Sequence, residues 1–166
     1  TARRYLDILT GSYVVRQLVP WFENIGKRQV KSPKVYVRDT GLLHALLGVK
    51  DAHGLAGHPK HGASFEGFAV EQITSLLGTT AAYFWGTHSG AELDLFVVHE
   101  GRRLGFEIKS SDAPTTTPSM RSAIETLRLD RLRVIYPGER SYDLDGRIRV
   151  VAMDDVVSEL GGSDLG

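Results

Sequence analysis

The sequence predicts a mixed α/β fold, a sheet flanked by helices. Three observations predict it. Apolar residues recur at helical spacing over 64–77 and 119–128, and short β-branched and aromatic runs lie before, between and after them. Gly, Pro, Ser and Thr clusters separate the two kinds of segment. The 166 residues suit one ordinary domain, or one domain plus part of another. The chain opens on Thr1, which reads as a piece of something longer. Cysteine is absent, which excludes disulfides, thiol nucleophiles and Cys-ligated metal centres. No apolar run approaches the ~20 residues of a membrane span and no secretory h-region is present, so the expected location is the cytoplasm.

Net charge is zero, but it is unevenly spread. Residues 1–38 carry eight basic and two acidic side chains, a net +6, and the remainder carries the compensating −6. A basic first segment points to nucleic acid and an acidic remainder to bound cations, unless both are solvated surface.

Residues 2–10 read as a helix, with Tyr5, Leu6 and Leu9 on one face and Gly11 as its stop. Residues 12–19 read as a strand and Lys34–Arg38 as its return. A helix followed by a long hairpin with a basic tip is the second half of a winged helix. Lys27, Arg28 and Lys31 on that tip are the expected DNA-binding residues. The expected organisation is a partial winged helix over 1–40, a second unit over 41–160 and a disordered tail over 161–166.

A short helix follows at 41–48, then a loop over 49–63. His53, His58 and His61 on that glycine-rich loop have no fixed geometry and no obvious fourth ligand, so they make a poor metal site. A helix over 64–77 carries Glu66. Strands are expected at 82–85, 92–98 and 103–109, the last two as an antiparallel hairpin across the turn at 99–102. Tyr83 and Trp85 are either core rings or stacking platforms for bases. A helix at 119–128, strands at 131–136 and 147–152 and a closing helix at 153–160 complete the chain.

Strand side chains alternate faces. Glu107 and Lys109 therefore share a face, as do Glu92 and Asp94 on the preceding strand, with Leu93 and Leu95 opposite. Pairing the two strands brings Asp94 beside Glu107 and Lys109. Two carboxylates ~4 Å apart repel by about 4 kcal/mol at an effective dielectric of 20. A proton, the Lys109 ammonium or a divalent cation must offset this. An all-oxygen set suits Mg²⁺ or Mn²⁺. Such an ion beside a lysine meets the requirements of phosphodiester hydrolysis.

Asp94, twelve intervening residues and Glu107-Ile108-Lys109 resemble the PD-(D/E)XK nuclease signature, and Glu66 resembles the upstream helical acid of many members. A wider resemblance joins Pro33–Leu43, Phe65–Val70, Gly90–Asp94 and Glu107–Ser111. With these segments the chain is similar to the C-terminal domain of unknown function of a family of prokaryotic AAA-type ATPases. That resemblance implies a restriction endonuclease-like mixed sheet, and an N-terminal ATPase module and the start of the winged helix ahead of Thr1 in the full-length protein. It implies Asp94, Glu107 and Lys109 as a catalytic triad assisted by Glu66, with Asp94, Glu107 and Glu66 holding Mg²⁺ or Mn²⁺. The function it implies is a metal-dependent nuclease-like module acting on the DNA backbone. The alternative is an inactive nuclease-fold domain that binds DNA or protein beside the ATPase. Residues 119–128 lack the glutamine that many DNA-processing relatives place on that helix.

Overall fold

The computed structural model describes residues 1–22 and 32–161. The expected DNA-binding residues Lys27, Arg28 and Lys31, and all of the expected tail except Gly161, lie outside the described residues. The chain forms α1 (Ala2–Gly11), β1 (Val15–Pro20), β2 (Lys34–Val37), α2 (Thr40–Leu46), α3 (Ala52–Ala56) and α4 (His61–Leu76). It continues with β3 (Ala82–Gly86), β4 (Glu92–His99), β5 (Arg102–Ile108), α5 (Pro118–Leu127) and β6 (Arg131–Tyr136). It ends with β7 (Tyr142–Asp143), β8 (Ile148–Ala152), a 3-10 turn at Met153–Asp155 and α6 (Val156–Gly161).

The described strands form a mixed eight-stranded sheet in the order β2-β1-β3-β4-β5-β6-β8-β7. The pairs β1/β3, β5/β6 and β6/β8 are parallel, and the others are antiparallel. The β1/β2 hairpin thus joins the sheet through β3. The β4/β5 turn has the form expected: His99 faces Arg102, and the two residues between them, Glu100 and Gly101, both adopt positive φ, the geometry that matches strand twist in a tight hairpin.

Each face of the sheet buries its own apolar cluster. On one, α4 contributes Ala69, Val70 and Ile73, and α6 contributes Val156 and Leu160, against Leu95, Val97, Leu104 and Phe106. On the other, α5 packs Met120, Ala123, Ile124 and Leu127 against Leu93, Phe96, Leu132 and Val134. Fully burying one such side chain contributes about 1.5–3 kcal/mol. Glu66 lies four and seven residues before Val70 and Ile73, so helical spacing carries it to the sheet-facing side of α4.

Strict alternation fails in β4. Tyr83 faces Phe96, but Trp85 faces Leu93, so three steps of β4 answer two of β3. This bulge sends Leu93 into the α5 cluster and Leu95 into the α4 cluster, correcting the expectation that they share a face. Trp85 is a buried core ring, and the half-buried Tyr83 packs edge-on against Trp21 with ring centroids 4.9 Å apart, at the border of the same cluster.

The span read as loop over 49–63 contains α3 and the first turn of α4. The Asp51 side chain caps α3 by accepting the Gly54 N–H at 2.7 Å. His53 sits in α3, His61 opens α4, and the His58 Nδ1 accepts the Lys60 N–H.

Candidate functional site

The site forms where β4 and β5 part. Their pairing runs from His99 with Arg102 to Leu95 with Phe106 and stops there. The Asp94 carboxylate takes over: its Oδ2 accepts the Ile108 N–H at 3.0 Å. Its Oδ1 accepts from the Lys34 Nζ at 3.1 Å. The same ammonium donates to Glu66 Oε1 at 2.9 Å. The Tyr36 hydroxyl donates a short hydrogen bond to that Glu66 oxygen. Two residues of the β2 edge thus reach one carboxylate on α4 and, through Lys34, another on β4.

Lys34 and Tyr36 share a face of β2, and that face turns inward while Val35 is 47 % exposed. Gly67 permits this. A Cβ there would lie 3.1 Å from Tyr36 Cδ1, so an alanine would force the ring to yield by a few tenths of an ångström. A glycine within a helix costs roughly 0.5–1 kcal/mol relative to alanine, and here it admits the close approach of a strand.

Glu107 and Lys109 form a second pair at 2.6 Å. Asp94, Glu107 and Lys109 line one open cleft of about 700 Å³. Its other walls come from the β3–β4 turn at Ser89 and Gly90 and from Thr117, Ser119 and Ser122 at the start of α5. The Ser119 hydroxyl accepts the Glu92 N–H at 2.9 Å, which ties α5 to β4. Of the predicted residues, the structure therefore brings Asp94, Glu107 and Lys109 to one cleft. Glu66 joins them through Lys34. Lys109 neutralises Glu107 and not Asp94, whose cation is Lys34.

Burial, then the negative charge of Asp94, push the Glu107 carboxyl up to about 7 against the opposing pull of Lys109 and Lys34. Burial would lower the Lys34 ammonium, but Asp94 and Glu66 outweigh it and hold it above its ordinary value. Lys109 is raised in the same way: Glu107, Asp94 and Glu66 overcome its burial. The Tyr36 hydroxyl is driven far up by burial, by its bond to Glu66 and by the charges of Glu66 and Asp94. Both lysines and the tyrosine thus stay protonated and donate.

A magnesium-type ion takes oxygen ligands in near-octahedral geometry at about 2.0–2.1 Å. Here the space between Glu66 and Asp94 is bridged by the Lys34 ammonium, the second Asp94 oxygen serves Ile108, and Glu107 is bound to Lys109. Among the described residues, no group of three or more His, Asp or Glu side chains is placed to hold a metal ion. The residues in this arrangement do not fit Mg²⁺ or Mn²⁺.

Sequence reasoning did not single out Lys34 and Tyr36 as site residues. The available signal was their period-two spacing in a four-residue strand, which put two polar-headed side chains on one face.

Residues 1–53 match a family model described as a domain of unknown function (DUF8612), and residues 61–156 match one described as a domain of unknown function (DUF4143). Two relatives, uncharacterized proteins of Mycobacterium bovis and Mycobacterium tuberculosis, are each 53% identical over 158 residues. Those residues are 95% of this chain and 36% of each relative. The chain therefore spans about a third of the length of the relatives it matches. Among the described residues, no helix is long and apolar enough to cross a membrane.

Proposed function

Since the chain belongs to the DUF4143 family, a domain of unknown function, we propose its role from the site itself: a nuclease-fold domain that binds without cleaving and engages the DNA phosphodiester backbone beside an ATPase module. The observation that carries the non-cleaving half is the Lys34 ammonium, hydrogen-bonded to Glu66 at 2.9 Å and to Asp94 at 3.1 Å. One ammonium thus already serves both acids that would have drawn a catalytic cation, cancelling one of their two negative charges from within the chain.

Support for the binding half is the composition of the cleft. Lys109 and the hydroxyls of Ser89, Thr117 and Ser122 supply donors of the kind that meet phosphate oxygens. Part of the +6 charge of residues 1–38 is answered within the fold, Arg16 and Arg38 by Glu71 and Lys34 by Glu66 and Asp94, and what remains adds attraction for a phosphate backbone. The restriction endonuclease-like and winged-helix readings of the α/β fold belong to this proposal, as does the ATPase partner.

A hydrolytic reading has one observation in its favour: Glu107, raised to about 7, is poised to exchange a proton beside Lys109 in an open cleft. One experiment separates the two. The protein is incubated with supercoiled plasmid and Mn²⁺, and its binding to a labelled duplex is followed by anisotropy between 50 and 200 mM salt, a range over which about 6–10 phosphate contacts lose ~10³–10⁵ in affinity. Binding that weakens steeply with salt, with the plasmid uncut, is the expected result. Cutting that disappears in Lys109→Ala would establish the hydrolytic reading instead, and salt-insensitive or absent binding would remove DNA as the ligand.

A further inference from the structure

We propose that Lys34 is the resident cation of this site, an ammonium that substitutes for a divalent ion and keeps the pocket closed to metal. The inference rests on the non-cleaving reading above and gives it a cause. Four observations carry it. Lys34 Nζ lies within hydrogen-bond distance of one oxygen from each of two carboxylates borne on different elements, Glu66 on α4 and Asp94 on β4. Tyr36, two residues along the same strand face, donates to the Glu66 oxygen that Lys34 uses. Gly67 leaves the space that brings this strand against α4. The Asp94 oxygen that Lys34 does not use is held by the Ile108 N–H, so the carboxylate cannot swing toward another ligand without leaving a backbone donor open.

The charge of the group explains why metal is excluded. Glu66, Asp94 and Glu107 supply at most three negative charges, and Lys34 and Lys109 supply two positive ones. A net charge between −1 and zero gives a dication little to gain. It would have to displace an ammonium whose own desolvation is already met by two hydrogen bonds. Removing the ammonium leaves two mostly buried carboxylates that have lost their shared hydrogen-bonded cation, with only the more distant Lys109, itself paired with Glu107, to oppose their charge. That is the condition in which an oxygen site takes up Mg²⁺ or Mn²⁺.

The test uses Lys34→Met and Lys34→Gln, the first close to lysine in length and apolar, the second one bond shorter but carrying a neutral donor. Free Mn²⁺ is counted by electron paramagnetic resonance as protein is added, and thermal unfolding is measured in chelator and in Mn²⁺. The wild type is expected to leave the Mn²⁺ signal and its own melting temperature unchanged. Both variants are expected to bind Mn²⁺ about tenfold or more tightly than the wild type. Mn²⁺ should also raise their melting temperature, because binding to the native state alone stabilises it even where the metal-free variant is weak. Adding Asp94→Asn to either variant should abolish both gains. Micromolar Mn²⁺ binding by the wild type would overturn the proposal, and so would the absence of any gain in both variants. The readout is metal uptake, whereas DNA binding and cutting judge the function, so the two ideas fail separately.

Discussion

Asp94 accepts the backbone N–H of Ile108 at 3.0 Å, at the point where β4 stops pairing with β5. A side chain here does the work of a strand. The sheet opens into a cleft, yet the orphaned donor of β5 remains satisfied. The same carboxylate receives Lys34, so one residue couples the edge hairpin to the centre of the sheet.

Replacing Asp94 should therefore cost stability whatever the site does. Asp94→Ala strands the Ile108 N–H and leaves Lys34 with one partner, and the expected loss is about 2–4 kcal/mol. Asp94→Asn keeps an acceptor for one of the two donors and should cost roughly half as much. Urea unfolding of both variants measures this. Equal costs would show that the charge, and not the strand-ending hydrogen bond, is what matters.

Glu107 sets a pH dependence. Its folded carboxyl titrates near 7, above the unfolded value of 4.5, so the native state binds the proton more tightly than the unfolded chain. The stability it contributes is complete below pH 4.5 and is lost as pH rises through about 7. The loss, set by the gap between the two values, is on the order of 3 kcal/mol. Glu107→Gln should remove that dependence, so the wild type should lose ground to the variant between pH 4.5 and 8. Denaturant midpoints at those two pH values test this. A difference that stays constant with pH would contradict the assignment.

Gly105 lies under Leu129. A Cβ at 105 would fall 2.4 Å from Leu129 Cδ1 and 3.3 Å from Leu93 Cδ2, within the cluster beneath α5. Leu129 is 1 % exposed and has little room to retreat. Gly105→Ala should destabilise by about 1–3 kcal/mol. In a Leu129→Ala background the same change should cost far less, since the cavity admits the methyl group. A thermal double-mutant cycle with additive costs would disprove the clash.

Arg133 is fully buried, and its Nε reaches Glu159 at 3.2 Å while Nη1 and Nη2 have no hydrogen-bond partner among the described residues. Burial holds its guanidinium below the ordinary value despite the pull of Glu159. Because Glu159 also receives Arg149 at 3.2 Å, Arg133→Met leaves that acid paired. The variant should be neutral or more stable by about 1–4 kcal/mol. A loss of about 2 kcal/mol or more in guanidinium unfolding would show that the guanidinium is better satisfied than its protein neighbours indicate.

Much of this architecture was legible in local pattern. The β4/β5 hairpin, its carboxylates and the helices on either side follow from periodicity, because period-two and 3.6-residue repeats report which side of an element meets the core. Elements too short to show a repeat were not legible. α3 spans five residues amid Gly54, Gly57 and Gly62, and its signal was the Asp51 cap; β7 spans two residues and exists through its pairing with β8. The bulge in β4 was hidden as well, since alternation counts residues and cannot detect one that the neighbouring strand leaves unmatched.

The sequence by itself determined the mixed α/β class and placed Asp94, Glu107 and Lys109 together, because two adjacent strands and a short turn bring those residues close regardless of what surrounds them. Tertiary structure alone decided which cation answers the acids. Lys34 is 60 residues from Asp94 along the chain and 32 from Glu66, and it reaches both because β1 pairs with β3 and Gly67 lets β2 settle on α4. No local repeat encodes such a meeting. Ion pairs depend on distance in space, and here that distance was set by the order of strands in the sheet.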